Sequence, residues 1–471
     1  MEPAEYADHD AVGLRALIAA GEVSAAEVEA AARRALDSVN PDLNALTLPL
    51  FEPALTADPD GPLAGVPLVV KDSGPMARGV PFTLGSRALR GAVAGVDHEL
   101  MTRFRAAGLV TLGQSTAPEF GLNFATESRR YGPTRNPWDL RRGVGGSSGG
   151  AAALVAAGAV PLAHANDAGG SIRVPASCCG LVGLKPGRGR TPSGPLVGEA
   201  GFGQIAEFGL TRTVRDAAHL LDAVSGPIVG EKYAAAPPAL PYAESIRADP
   251  GRLRVAVTTD AWSGVPVDPQ VRDATVAAAQ VLEWIGHTVT PASPDLTAED
   301  VVEAAMLVVV STGAAILRAP HRPDPNLLEA TSRRVLSETQ GFTALEVMAA
   351  LDAQHRVTRA VGLFLTGYDL LVTPTIGQLP PPHGTLDYDD DAPGQSARSW
   401  IRRIFEVGPF TAAFNVSGNP AVSLPLGQSR EGLPVGVQLV AAHGREDLLL
   451  QVAAQFEQAV PWSGRRPSIS V

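Results

Sequence analysis

Apolar residues recur at helical spacing from Ala11 to Leu36, through Val12, Leu14, Leu17, Ile18 and Val28. Gly21 divides this stretch into two helices, and Ser24 with Glu27 three residues on predicts a capping box for the second. The period then changes. "LAGVPLVVKD" predicts a turn and a short buried strand that ends at Lys71, and "TRFRAAGLVTLGQS" a helix end, a glycine stop and another strand. A helix is predicted over Ala151–Ala159, and "AVPLAHAND" is a strand entering a loop that carries "AGGSIRVPAS". After Pro227 the chain is Pro- and Ala-rich for about twenty residues, a linker-like crossing of the surface. "RLRVAVTTD", "VRDATVAAAQVLEWIGH" and "TVTPAS" form a strand–helix–strand unit, "YDLLVTPT" and "VGVQLVA" are further strands, and "EDLLLQVAAQFEQAV" is a C-terminal helix. This alternation predicts an α/β fold with a mixed central β-sheet sandwiched between layers of α-helices.

Composition narrows the class. A chain of 471 residues carries a length prior of two or three domains, although one continuous sheet can serve a chain of this size. With 45% hydrophobic and 18% charged residues it is globular rather than disordered. A net charge of -11, with no basic patch, excludes a nucleic-acid surface. The start "MEPAEYADHD" lacks the basic and apolar segments of a signal peptide, and the low-polarity run Ala151–Ala163 is too short to span a bilayer. The adjacent Cys178 and Cys179 make a poor disulfide framework. The expectation is a cytoplasmic protein with no membrane partner. The acidic run Asp387–Asp391 lacks calcium-loop spacing and reads as a solvated loop.

Candidate chemistry centres on "RRGVGGSSGGAAALVAAG", where Ser147 and Ser148 stand between glycine pairs. No lysine follows as a P-loop requires, and a dinucleotide fingerprint needs glycine where Ser148 stands. Gly145, Ser147 and Gly149 satisfy the Gly-x-Ser-x-Gly hydrolase elbow, but Asp139, Arg141 and Arg142 precede them where that elbow needs an apolar strand. The nine histidines show no zinc-site pairing, so no metal and no cofactor are expected. His164 is a candidate base, although a lone histidine at a strand end is more often a satisfied structural group. A second element, "NDAGGSIRVPAS", puts Ser171 after Gly169 and Gly170. Such a turn can aim consecutive N–H groups at one point, as an oxyanion hole does; the plain alternative is a tight turn.

Lys71, "GGSSGG" and "GGSIR.PA" followed by "CGLVGLKP", with Ser147 and Ser171 separated by 24 residues, resemble the amidase signature family. The resemblance continues through "GPTRNPW", "YDLLVTPT" and "FNVSGNPAVSLPLG", so it covers nearly the whole chain, and the sequence looks closest to the branch that includes 6-aminohexanoate-cyclic-dimer hydrolases. It implies an amidase signature fold in one domain over 1–471. The catalytic motifs would lie in a core of about 60–225, a more variable substrate-pocket part in 226–400, and 401–471 would return to the core sheet. It implies Ser171 as nucleophile, Ser147 as proton relay after a cis peptide bond from Gly146, and Lys71 as terminal base. A serine hydroxyl needs such a base, and lysine can be one only when neutral, which "GVPLVV" before Lys71 predicts through burial. The backbone of Ala168, Gly169, Gly170 and Ser171 would form the oxyanion hole, with Ser148 bracing the loop and Asp167 and Arg173 pairing around it. Asn123 and Gly146 are candidate substrate contacts, and Val301–Leu317 a candidate pocket wall.

The activity implied is hydrolysis of a small linear or cyclic carboxamide through an acyl-enzyme. The alternative is the glutaminase subunit of a tRNA-dependent amidotransferase. A non-catalytic descendant would be expected to lack one of Lys71, Ser147 and Ser171, and all three are present. A homodimer is the family's common habit.

Overall fold

The computed structural model describes residues 1–471 apart from Val197, Glu199 and His321. Its two larger sheets take their strands from the length of the chain. They are β1 (Pro67–Lys71), β2 (Val110–Ser115), β3 (Leu162–Asp167), β4 (Gly183–Lys185), β5 (Ala206–Thr211), β6 (Arg254–Val257), β7 (Thr288–Pro291), β8 (Leu370–Pro374), β9 (Ala421–Gln428) and β10 (Pro434–Ala441). Four form a sheet in the order β2-β1-β3-β5 and six another in the order β7-β6-β8-β10-β9-β4. A bridge between Val182 and Thr211 joins the β4 end of one to the β5 edge of the other. Parallel pairs (β1 with β2 and β3, β6 with β7 and β8) meet antiparallel ones (β3 with β5, β10 with β8 and β9), so the sheet is mixed as expected. Strands β1, β8 and β10 are buried at every position. Continuous burial of this kind belongs to strands covered by helices on both faces.

The strand–helix–strand unit is present as parallel β6 and β7 around the helix Pro269–Trp284. The chain therefore rejoins the sheet at Arg254, well before residue 401, and 226–400 contributes three of its strands. The second N-terminal helix runs past the predicted Leu36 to Leu43. Buried Val28, Ala31, Ala32, Ala35, Leu36, Val39 and Leu43 continue one apolar stripe through a helix that carries Pro41 in its last turn. The helix behind the two serines is Gly149–Ala156, two residues earlier in start and three in end than predicted, and all eight residues are buried. Ala298–Leu317 is long and apolar enough to cross a membrane, yet here it packs against the helices Ala330–Gly341, Ala344–Gly367 and Ala397–Val407.

Candidate active site

Lys71 is the last residue of β1, and the buried run Pro67–Val70 delivers its side chain to the interior with 1% of its surface exposed. Its amine meets three oxygens: Ser147 Oγ at 2.7 Å, Ser148 Oγ at 3.0 Å and Asn166 Oδ1 at 2.6 Å. Burial pushes its pKa down from 10.5 to about 7, against the opposing pull of the Glu207, Asp167 and Asp72 carboxylates. The directions of these hydrogen bonds follow from their partners. Ser148 donates its hydroxyl proton to the Asn166 carbonyl at 3.3 Å, which leaves its oxygen to accept from Lys71. Asn166 Oδ1 can only accept. A neutral amine has two N–H bonds and one lone pair, so with both N–H bonds on Ser148 and Asn166 the lone pair faces the Ser147 hydroxyl.

The Gly146–Ser147 peptide is cis. A Cβ on Gly146 would lie 2.7 Å from the Asn123 carbonyl oxygen and 2.9 Å from the Phe124 carbonyl carbon, so glycine is what lets these two backbones cross. On the other side of the serines, side chains at Gly149 and Gly150 would collide with the hydroxyls of Thr126 and Thr116. The glycines around the serine pair thus set how closely the loop and the helix behind it are packed.

The loop Ala168–Ser171 leaves β3 with Gly170 at φ +149°, where a Cβ would come within 2.6 Å of Thr411 Oγ1. The N–H groups of Gly169, Gly170 and Ser171 engage no acceptor among the described residues, whereas the Gly169 carbonyl accepts from the Thr411 hydroxyl at 2.6 Å. Below the loop, Asp167 and Arg173 form a bidentate pair at 2.9 Å with neither side chain exposed. Arg173 also donates to the Thr411 carbonyl, Gln438 Oε1 and Asn415 Oδ1 at 2.8, 2.7 and 2.5 Å. Burial alone would raise the Asp167 pKa, but the Arg173 guanidinium holds it well below the usual carboxylate range. The loop is therefore anchored through side chains and a carbonyl, which leaves its N–H groups available.

Lys71, Ser147, Asn166, Ala168 and Ser171 line one cavity of about 270 Å³. Its far wall is apolar, with Met76, Leu84, Phe120, Leu122, Val308 and Ile316. Part of the predicted wall segment Val301–Leu317 is there, but Asn123 is not where expected. Its amide donates to the Leu386 carbonyl at 3.1 Å and accepts from the Ala125 N–H at 3.1 Å, so it ties two loops together behind Leu122. The wall takes Ser147 rather than Gly146. His164 is a satisfied group: Nδ1 accepts the Lys71 backbone N–H at 3.2 Å, Nε2 faces Glu207 Oε2 at 2.8 Å, and burial keeps its pKa low. Asn166 and Glu207 are polar residues of the site that the sequence pattern does not single out, and the one signal for Glu207 is a carboxylate inside the otherwise apolar "AEFGLT". Among the described residues, no cluster of three His, Cys, Asp or Glu side chains could hold a metal.

The family model for amidases matches residues 27–450. The chain belongs to the amidase signature family. This amidase is similar to the 6-aminohexanoate-cyclic-dimer hydrolase of Paenarthrobacter ureafaciens, with 39% identity over 98% of this chain and 96% of that protein. It is 32% identical to an acylamidase of Rhodococcus erythropolis over 98% and 97% of the two chains. The solved structure of a 6-aminohexanoate cyclic dimer hydrolase complexed with substrate matches with TM-score 0.92 and 39% identity, covering 98% of this chain and 99% of that one. A glutamyl-tRNA amidotransferase chain from Thermotoga maritima matches with TM-score 0.76 at 24% identity, covering 100% of this chain and 98% of that one, which shows the fold alone. The amidase is a hydrolase of carboxamide carbon–nitrogen bonds, and its sheet between helical layers is that of the family.

Proposed function

We propose that this amidase cleaves a small, uncharged aliphatic amide, cyclic or linear, through an acyl-enzyme on Ser171. The observation that carries the reading is the buried amine of Lys71, whose lone pair faces Ser147 beside a loop whose Gly169, Gly170 and Ser171 N–H groups engage no acceptor among the described residues. Ser171 Oγ attacks the carbonyl carbon as its proton passes to Ser147 Oγ and the Ser147 proton passes to Lys71 Nζ. The loop N–H groups stabilise the oxyanion, each good donor contributing roughly 10²–10³ in rate. The proton on Lys71 then passes through Ser147 to the amide nitrogen as the carbon–nitrogen bond breaks and the amine leaves. Water attacks the ester with Lys71 again accepting through Ser147, and the proton returns to Ser171 Oγ as the acyl carbon–Oγ bond breaks and the acid is released. The apolar wall favours hydrocarbon chains. Asp72, also at the cavity, has its carboxylate occupied by Thr83, Leu84 and Gly85, so it is poorly placed to recruit a cationic substrate. The activity of the similar hydrolases makes cyclic 6-aminohexanoate dimer the first substrate to try. The glutaminase reading has less support, since its likeness is confined to fold.

The test is covalent labelling by a fluorophosphonate with peptide mapping, run beside a screen of cyclic dimer, linear aliphatic amides, aryl amides and glutamine. Labelling at Ser171 that is lost in Ser171→Ala, with turnover of neutral aliphatic amides, is the expected result. Labelling at Ser147 that survives Ser171→Ala would restore the hydrolase-elbow reading, and turnover of glutamine alone would favour the amidotransferase reading.

A further inference from the structure

We propose that Glu207 is a positioning residue for Lys71, acting through Asn166 and His164 to hold both the backbone and the amine of the lysine in the orientation that leaves its lone pair on Ser147. The inference rests on the role proposed for Lys71 above. Antiparallel pairing of β3 with β5 sets Asn166 directly opposite Glu207 and places His164 two residues away on the same side of β3. The Glu207 carboxylate accepts from Asn166 Nδ2 at 3.1 Å and from His164 Nε2 at 2.8 Å. Two hydrogen-bonded chains therefore run from one carboxylate to one lysine.

Each chain has a single consistent polarity. A carboxylate only accepts, so the Asn166 amide must turn its NH₂ toward Glu207 and its Oδ1 toward Lys71. His164 Nδ1 receives the Lys71 backbone N–H, so its proton resides on Nε2 and is donated to Glu207. If Asn166 turned over, its NH₂ would face the Lys71 amine and compete with Ser147 for the lone pair. The neutral amide introduced by Glu207→Gln could accept from only one of the two donors in the same geometry, because its own NH₂ would oppose the other. The remaining charged or titratable groups acting on this cluster are Asp167 from β3, Asp72 after β1, and His98 at the start of the helix Glu99–Ala106. Of the three carboxylates that oppose the effect of burial on Lys71, Glu207 has the largest influence, and its negative charge favours the protonated amine. Charge and orientation thus make opposite, separable contributions.

The test compares Glu207→Gln, Glu207→Asp, Asn166→Ala and the double variant Glu207→Gln/Asn166→Ala with wild type, using amide turnover across pH and the rate of fluorophosphonate labelling. Glu207→Gln should lower kcat about 10- to 100-fold, a part of the 10²–10⁴ that a positioned base contributes, with KM little changed. Its acidic limb should move to lower pH by about one pH unit, since a nearby opposite charge has been removed. Glu207→Asp should keep the limb near the wild-type pH. The double variant should be about as slow as the slower single one, because both residues act on the same amine. An unmoved limb in Glu207→Gln, or additive losses in the double variant, would overturn the inference. Should Glu207→Gln fail to fold, an unchanged kcat in Asn166→Ala would overturn it alone. Wild-type protein that is neither labelled nor active would instead defeat the underlying catalytic reading.

Discussion

Burial of Lys71 makes a quantitative prediction about pH. The folded environment lowers its pKa from 10.5 to about 7, chiefly by desolvating the ammonium. At roughly 1.4 kcal/mol per pH unit this is a differential of about 5 kcal/mol between the two protonation states. An ordinary lysine would be neutral in roughly 3 of 10,000 molecules at pH 7; in this site about half of the molecules hold the base form, a gain of about 10³. The assay is kcat/KM for a neutral amide from pH 5 to 10, in buffers where the enzyme remains folded. The rate should fall about tenfold per pH unit below about 7 and level off above it, since one proton on one group controls the base. The same coupling acts on stability: the unfolded chain binds this proton more tightly than the folded one. The contribution of Lys71 to stability is therefore present above 10.5 and is lost as pH falls through about 7. A rate flat down to pH 5, or a limb near pH 10, would refute the assignment of a buried neutral lysine as base.

Three further outcomes follow from other parts of the structure. Gly170→Ala puts a side chain at φ +149° and against Thr411, so kcat should drop about 10²–10³ as the loop N–H groups shift, with melting temperature and kcat measured together; activity within twofold would contradict the role given to the loop. Arg173→Met leaves the Asp167 carboxylate buried without its partner and should cost about 3–5 kcal/mol in denaturant unfolding, whereas a loss below 1 kcal/mol would mean the pair is dispensable. Burial and the neighbouring Glu119 carboxylate push Glu329 up to about 8, so its favourable contribution is complete below the ordinary carboxylate pKa and is lost as pH rises through about 8. Glu329→Gln should accordingly melt higher relative to wild type at pH 9 than at pH 6, and an equal difference at both would show that Glu329 does not titrate between them.

The parts legible in the sequence are those whose meaning is local. A lysine closing an apolar strand, glycines around serines, and the capping box at Ser24 and Glu27 each specify geometry within a few residues, and each appears in the structure. Parts that depend on long-range pairing are not legible. Strand β4 is three residues long and exists because β9 pairs with it, and β5 interrupts its apolar pattern with Glu207 and Gly209. Asn123 shows the opposite failure: a polar residue in a motif suggests a ligand contact, but polar groups in buried loops are first needed to satisfy neighbouring backbone.

The arrangement of Glu207 explains why its importance is hidden in the chain. Forty-one residues separate it from Asn166, and only the β3–β5 register makes them direct neighbours. A slip of one residue would turn the side chain of Glu207 to the other face of the sheet and put Phe208 or Ala206 opposite Asn166. The flanking residues argue against such a slip, because Phe208 and Leu210 are fully buried and would have to exchange places with polar neighbours. The apolar residues of β5 thus fix the position of its one carboxylate, and that carboxylate orients the amide and the imidazole beside Lys71. Substitutions at Phe208 that preserve folding but loosen the register should therefore lower activity in the same manner as Glu207→Gln, although Phe208 is neither titratable nor part of the described cavity wall.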